Sequence, residues 1–434
     1  MHVASSEIIA WHDIDAIYAS GNREQLQKLS SIRRKAGVAT ISRLLRTINS
    51  DALRNRAKVL RDEKNCTVTL PSADEAYYNF DIVGGCNYHA SIEFEDGVTW
   101  LARFRLPNHN APQLDERNFD RRSEYATYRF LATTAVPVPA VYDVADDEDS
   151  ANPVGAGYLL LEKLPGKPAT WYDATQAQKD SFSRQLADIF ISLEKFPFDK
   201  LGRLQLAAET RLPEPGPAFF EYDSRGNITP LGPFAHSKDH YAALIEQRIA
   251  LISSGEVAIS APLDTYLVCK SLLDNLPIDD NGPFYLRHMD SRDANFLVDD
   301  DYNITGIIDW ELAVLAPKHS AFQAPLLMYD LGDVYDECVS TPSLDEQRFV
   351  QILSDEKGRH DIAACAVRKF YFRLEQCIET DPHDPNFTSV FEGWWRLVKG
   401  VGTFEWGAWR KDALNEYGDP GLGGVQSVNR REHH

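Results

Sequence analysis

Two short apolar runs, FLV and ITGII, flank the acidic, turn-rich segment DDDYN within residues 288–311, HMDSRDANFLVDDDYNITGIIDWE. Strand-length apolar runs on either side of turn residues predict an antiparallel β-hairpin over residues 296–308. Pairing in such a hairpin fixes neighbours. Asn295 enters the first strand and Asp309 leaves the second, so both lie at its open end although fourteen positions separate them. A carboxamide oxygen beside a carboxylate is a hard oxygen pair suited to Mg²⁺, an ion that keeps waters and binds phosphates. Asp290, on the loop entering the same end, can converge with them. Asp299, Asp300 and Asp301 fall at the opposite end, where solvation accounts for them, and Asp293 stands open between a supporting and a catalytic place.

The periodicity around this hairpin predicts an α+β chain. At 434 residues it exceeds what one hydrophobic core usually serves, and two lobes with an accessory segment are expected. Residues 6–64 read as helical, with apolar positions returning every three or four in ATISRLLRTI. From Tyr77 the period changes: NFDIVGG, YHASIEF and VTWLARFRL read as three strands, with EDG turning between the last two. RRSEYATYRFL reads as a helix with Tyr125, Tyr128 and Leu131 on one face, stopped before Pro137 and Pro139. GYLLLEKLPGKP is a buried strand ending in a Pro/Gly break, and FSRQLADIFISLEKF places Phe182, Leu186, Ile189, Phe190 and Leu193 on one helical face. The expected organisation is an N-terminal helical extension (1–74), a small β-rich lobe (75–164) and a larger, mainly helical lobe (165–434).

A formal net charge of −20 repels nucleic acid and anionic lipid, so neither is expected as a partner, while a neutral or cationic small molecule is compatible. Six scattered cysteines form no CxxC pair or zinc spacing and read as thiols in a reducing compartment, the cytoplasm. Residues 1–20 lack a basic start and carry Glu7, Asp13 and Asp15, so neither a signal nor a transit peptide is expected. No apolar run is long enough for a transmembrane helix. GxxxxGK[ST] is absent, excluding a P-loop, and Asp309 is followed by Trp310 and Glu311 rather than by the DFG and APE pattern of protein kinases.

His288, Asp290 and Asn295 spell HxDxxxxN, followed by the hairpin and Asp309, which is the catalytic pattern of phosphoryl transfer in kinases. With the GG turn of NFDIVGGCNYHASIEF, the WLARFRLP strand, the RRSEYATYRFL helix with VPVPAVY behind it, the YLLLEKLPGKP connector and FDKLGRL, the chain resembles the aminoglycoside phosphotransferase and choline kinase-like superfamily, especially its fungal phosphotransferase members. The likeness runs over residues 77–336 and more weakly beyond. It implies a bilobal protein kinase-like fold, and an ATP- and Mg²⁺-dependent enzyme that moves the γ-phosphoryl group to a hydroxyl of a small molecule.

The resemblance also implies roles. Asp290 matches the catalytic aspartate, Asn295 and Asp309 the metal ligands, and His288 a position that supports the catalytic loop. Arg292 is either a charge-neutralising group at the γ-phosphate or a solvated loop arginine. Arg103 matches the lysine that holds the α/β-phosphates and pairs with a helix glutamate, here Glu124; Arg105 lies on the same strand face and competes for the place. Gly84 and Gly85 suit either a phosphate-approaching turn or a plain hairpin turn. Backbone groups from Glu162 to Leu164 correspond to the connector that reads adenine.

On the acceptor side, Asp330, Asp333, Asp336 and Glu337 with Trp394, Trp395, Trp406 and Trp409 are either a site for a cationic acceptor or a charged face and a buried aromatic seam. Two other functions fit the same chain: a nucleotide-binding pseudokinase scaffold, and an ATP-dependent carboxylate-activating enzyme, for which Asp290 would be dispensable. A protein kinase fits less well, since no activation segment follows Asp309.

Overall fold

A computed structural model describes residues 20–108, 111–222, 227–254, 262–278, 280–330, 332, 341–380, 386–400, 402 and 404–418. The chain divides into two compact units, residues 1–125 with 139–163 and residues 126–138 with 164–434.

In the first unit, helices α1 (Arg23–Thr47) and α2 (Ser50–Leu60) are capped by Asn22 and Asn49, whose side chains accept from backbone N–H groups of the first turn. Strands β1 (Cys66–Thr69), β2 (Asn87–Phe94), β3 (Thr99–Arg105), β4 (Val141–Ala145) and β5 (Tyr158–Glu162) form an antiparallel sheet in the order β1-β2-β3-β5-β4. Alternation decides its faces. Tyr88, Ala90 and Ile92 of β2 and Trp100, Ala102 and Phe104 of β3 point into one core shared with Ile41, Leu44, Leu53 and Ala57 of the two helices. The residues between them, Arg103 included, face the other side, toward helix α3 (Leu114–Leu131). EDG makes the β2–β3 turn, with Gly97 at φ +86°.

One expected strand is not formed. In NFDIVGG only Val83 is bridged, to Tyr88, and the edge strand is instead CTVT, β1. Asn79 explains the difference. Its carbonyl accepts from Ile82 and Val83 and its side chain from Asp81, winding the segment into turns before it can extend.

In the second unit, β6 (Lys167–Pro168) adds a third strand to the hairpin of β8 (Phe296–Val298) and β9 (Ile304–Ile307), while β7 (Phe284–Arg287) pairs with β10 (Val314–Pro317). Helix α4 (Gln176–Leu193), opened by a Thr175/Gln178 capping box, buries Phe182, Leu186, Ile189, Phe190 and Leu193, the predicted face. A second core joins α5 (Ser237–Ser254), α6 (Pro262–Asp274), α7 (Phe370–Glu379) and α8 (Phe387–Lys399) around Trp394, Phe391 and Tyr371. Among the described residues no helix is long and apolar enough to cross a membrane, and Cys66, Cys86, Cys269, Cys365 and Cys377 are free thiols.

Candidate active site

The hairpin forms in the predicted phase. Phe296 pairs with Ile307 and Leu297 with Gly306, and one step further Ile308 donates its N–H to the Asn295 carbonyl at 3.0 Å. Asn295 and the residue preceding Asp309 are thus hydrogen-bonded neighbours at the open end. A Cβ on Gly306 would lie 2.4 Å from Leu164 Cδ1, so a larger residue there would require the Leu164 side chain to move. Asp309 itself has φ +62°, a left-handed conformation that aspartate tolerates better than most residues and that turns the chain sharply out of the strand.

Two side chains stitch the loop of residues 288–294 to this end. Asn295, buried, donates Nδ2–H to the Asp290 carbonyl at 2.8 Å. His288 accepts the Asp290 N–H at Nδ1 (3.1 Å), so the ring proton sits on Nε2 and is donated to the Ile308 carbonyl at 2.8 Å. Burial lowers the His288 pKa, against the opposing pull of the Ile308 carbonyl, Asp309 and Asp290, and keeps the ring neutral as that pattern requires. Trp310 packs edge-on against it at 4.6 Å. Asp290 carries its carboxylate half in solvent and pairs with the exposed Arg292 at 2.7 Å. Asp293 caps locally, accepting from the Ala294 N–H at 2.9 Å.

The turn acids are not equivalent. Asp299 accepts from the backbone of Asp301 and Asn303 and from Asn303 Nδ2, which lowers its pKa, while Asp300 pairs with the exposed Lys167 at 2.8 Å. Solvation alone therefore does not account for the run; Asp299 builds the turn.

In the first unit, Arg103 and Glu124 form an ion pair, both side chains less than a tenth exposed. His89 stands directly across β2 from Arg103, and burial together with that guanidinium brings its pKa down to about 4. Arg105 lies two residues on, on the same face and less buried. The Gly84–Gly85 turn is open: a Cβ at either would meet nothing within 4 Å, and the Gly84 N–H bonds the Asn87 carbonyl at 3.0 Å. The Glu162 N–H is engaged by the Ala140 carbonyl at 2.8 Å, and its carboxylate returns to the Ala140 N–H.

The family model described as the phosphotransferase enzyme family matches residues 92–320, more than half of the chain. The chain belongs to the phosphotransferase enzyme family. Its α+β organisation, a β-rich unit and a larger, mainly helical one, is kinase-like as the sequence predicts. A subtelomeric hrmA-associated cluster protein of Aspergillus fumigatus is 31% identical to this chain over 124 residues, 28% of this chain and 23% of that protein. The matched stretch is thus under a quarter of the curated relative's length. Among solved structures, aminoglycoside phosphotransferase APH(4)-Ia is 15% identical, with 82% of this chain and 100% of that chain covered at a TM-score of 0.45. ADP-bound APH(2'')-Ib is 12% identical, covering 80% and 97% at 0.44. Macrolide 2'-phosphotransferase MphH from Brachybacterium faecium is 17% identical, covering 85% and 99% at 0.39.

Of the acids expected on the acceptor side, Asp333, Asp336 and Glu337 lie outside the described residues, and Asp330 accepts from the Gly332 N–H. The tryptophans form the buried seam. Trp394 is fully buried, and Trp395, Trp406 and Trp409 pack on Phe391 and one another. Sequence reasoning missed a different group. Arg287, the last residue of β7, pairs with Glu375 at 2.7 Å, and Tyr241 donates to the same carboxylate at 2.8 Å. This part-buried pair anchors β7, the strand leading into the loop of residues 288–294, to α7.

Proposed function

We propose that this phosphotransferase is a cytoplasmic small-molecule kinase that moves the γ-phosphoryl group of ATP to a hydroxyl, with Mg²⁺. The observation that supports the proposal is the stitching of the Asp290 backbone to the Asn295 side chain and, through His288, to the Ile308 carbonyl, which ties the loop carrying Asp290 to the hairpin end that Asn295 enters and Asp309 leaves. The oxygen of the acceptor hydroxyl bonds to the γ-phosphorus as Asp290 accepts the hydroxyl's proton; the bond from that phosphorus to the β–γ bridging oxygen breaks and ADP leaves with that electron pair.

The donor set fits a magnesium ion. With Asn295 Nδ2 engaged by Asp290, the side chain has Oδ1 to offer, and it and the Asp309 carboxylate are both hard oxygens. Among the described residues no three His, Cys, Asp or Glu side chains group as a metal cage, so water and phosphate oxygens would complete the shell. When bound, the ion neutralises phosphate charge. Arg103, held in place by Glu124, is assigned to the α/β-phosphates, the Gly84–Gly85 turn to their backbone contacts, and the backbone of Glu162 and Leu164 to the adenine. Arg292, already paired with Asp290, can keep that carboxylate oriented or turn to the transferring group.

The test incubates the protein with ATP, Mg²⁺ and a panel of hydroxyl-bearing metabolites, and reads phosphate addition by mass spectrometry. Asp290→Asn is expected to lose about a hundredfold or more in rate, the usual worth of a positioned base. Identical product profiles for both proteins would overturn the assignment.

A further inference from the structure

We propose that His89 is a further phosphate-binding residue, its imidazole meeting the nucleotide between Arg103 and the Gly84–Gly85 turn. This rests on the nucleotide reading above and adds to it a side chain that neither Arg103 nor the turn supplies.

Two sets of pairings place His89. Across the β2–β3 ladder it stands directly opposite Arg103, so both side chains leave the sheet on the same side, away from the core that takes Tyr88, Ala90 and Ile92. Residues facing each other in this way hold their Cβ atoms about 5 Å apart. On the other flank, the His89 N–H bonds the Ile82 carbonyl at 2.7 Å, Val83 bridges Tyr88, and the Gly84 N–H bonds the Asn87 carbonyl at 3.0 Å. These bonds fold residues 82–89 back on themselves with the two glycines at the tip. His89 is therefore the residue at which the glycine turn joins the sheet, beside the arginine assigned to the α/β-phosphates. An anion held by both the arginine and the turn has this imidazole next to it.

The chemistry of the ring suits that place. Burial and then Arg103 hold its pKa down to about 4, with the Ile82 carbonyl opposing, so at neutral pH it carries one N–H and one lone pair. The charged side chains on this side of the sheet are Arg103 and Arg105 of β3 and Glu124 of α3, whose carboxylate is paired with Arg103. Residues 82–88 bring no charged side chain, and on β2 itself the nearest is Glu93, four positions on. A phosphate reverses this balance. Its negative charge offsets the guanidinium and favours the imidazolium, and its oxygens accept the second N–H that protonation creates. Nucleotide binding thus takes up a proton at His89, and it tightens as pH falls, by at most about tenfold per pH unit for one proton.

Calorimetric titration of the full chain with ADP at pH 8, 7 and 6, in buffers of low and high ionisation enthalpy, tests the assignment. The comparison is with His89→Gln, which keeps a donor and cannot gain the proton; thermal melts establish that the variant is folded, and the titration of ADP itself is common to both proteins. Between pH 8 and pH 6 the wild-type affinity is expected to rise at least about threefold more than that of His89→Gln, with a proton uptake that the variant lacks. Weaker binding by the variant with parallel pH curves and equal proton uptake would make His89 a packing residue of the sheet and overturn the proposal, as would equal affinities throughout. Absence of ADP binding by both folded proteins would overturn the nucleotide reading and this assignment with it, whereas binding with parallel curves overturns this assignment alone.

Discussion

Asn295 donates its side-chain amide to the Asp290 carbonyl at 2.8 Å, so a residue proposed for the metal also shapes the loop that carries the proposed base. Asn295→Asp keeps an oxygen for the ion but sets a carboxylate against that carbonyl. The substitution is expected to lower stability by about 1–3 kcal/mol in urea titrations as well as turnover, because a buried partner is left unsatisfied. A variant with full stability and lost turnover would mean that the bond to Asp290 contributes nothing.

Arg103 and Glu124 permit a separation of folding from function. Glu124→Gln leaves a buried guanidinium poorly compensated and is expected to destabilise the protein by about 3–5 kcal/mol. Replacing both by Met and Leu is expected to recover most of that stability, yet to weaken ADP binding measured by calorimetry. Unchanged ADP affinity in the folded double variant would remove Arg103 from the nucleotide site.

The pH dependence of stability follows from buried neutral histidines. Burial holds His240 down to about 3, and burial with Arg103 holds His89 down to about 4, against an ordinary value near 6.5. Below pH 6.5 the unfolded chain therefore binds more protons than the folded one. Stability is fullest above pH 6.5 and declines toward pH 4, by at most about 1.4 kcal/mol per pH unit for each such histidine. His240 packs among Phe219, Phe234 and Tyr241. His240→Phe should accordingly flatten the slope in thermal melts between pH 4 and 6.5, and parallel curves would show that His240 does not titrate on unfolding.

Within the DDD run, Asp299→Ala is expected to lower the melting temperature because it removes the acceptor for three N–H groups of the turn, while Asp300→Ala, which breaks only the exposed contact with Lys167, leaves it unchanged. Equal melting temperatures for the two variants would return the run to simple solvation.

These cases also show what a sequence exposes. The hairpin was legible because two apolar runs around turn residues leave one sensible pairing, and that pairing sets Asn295 beside Ile308. β1 was not, since CTVT is four residues long and half polar, whereas NFDIVGG has strand composition that the hydrogen bonds of Asn79 override. Nothing local joins Arg287 to Glu375, eighty-eight positions away, so that ion pair emerges only when the chain folds.

His288 uses its two nitrogens in opposite senses, one taking a proton bond from the loop and the other giving one to the strand. Among the standard side chains only imidazole presents a single donor and a single acceptor diverging from a rigid ring. A redesign of this protein can vary the acids around the hairpin and re-measure, but at this one position the amino-acid alphabet has no synonym.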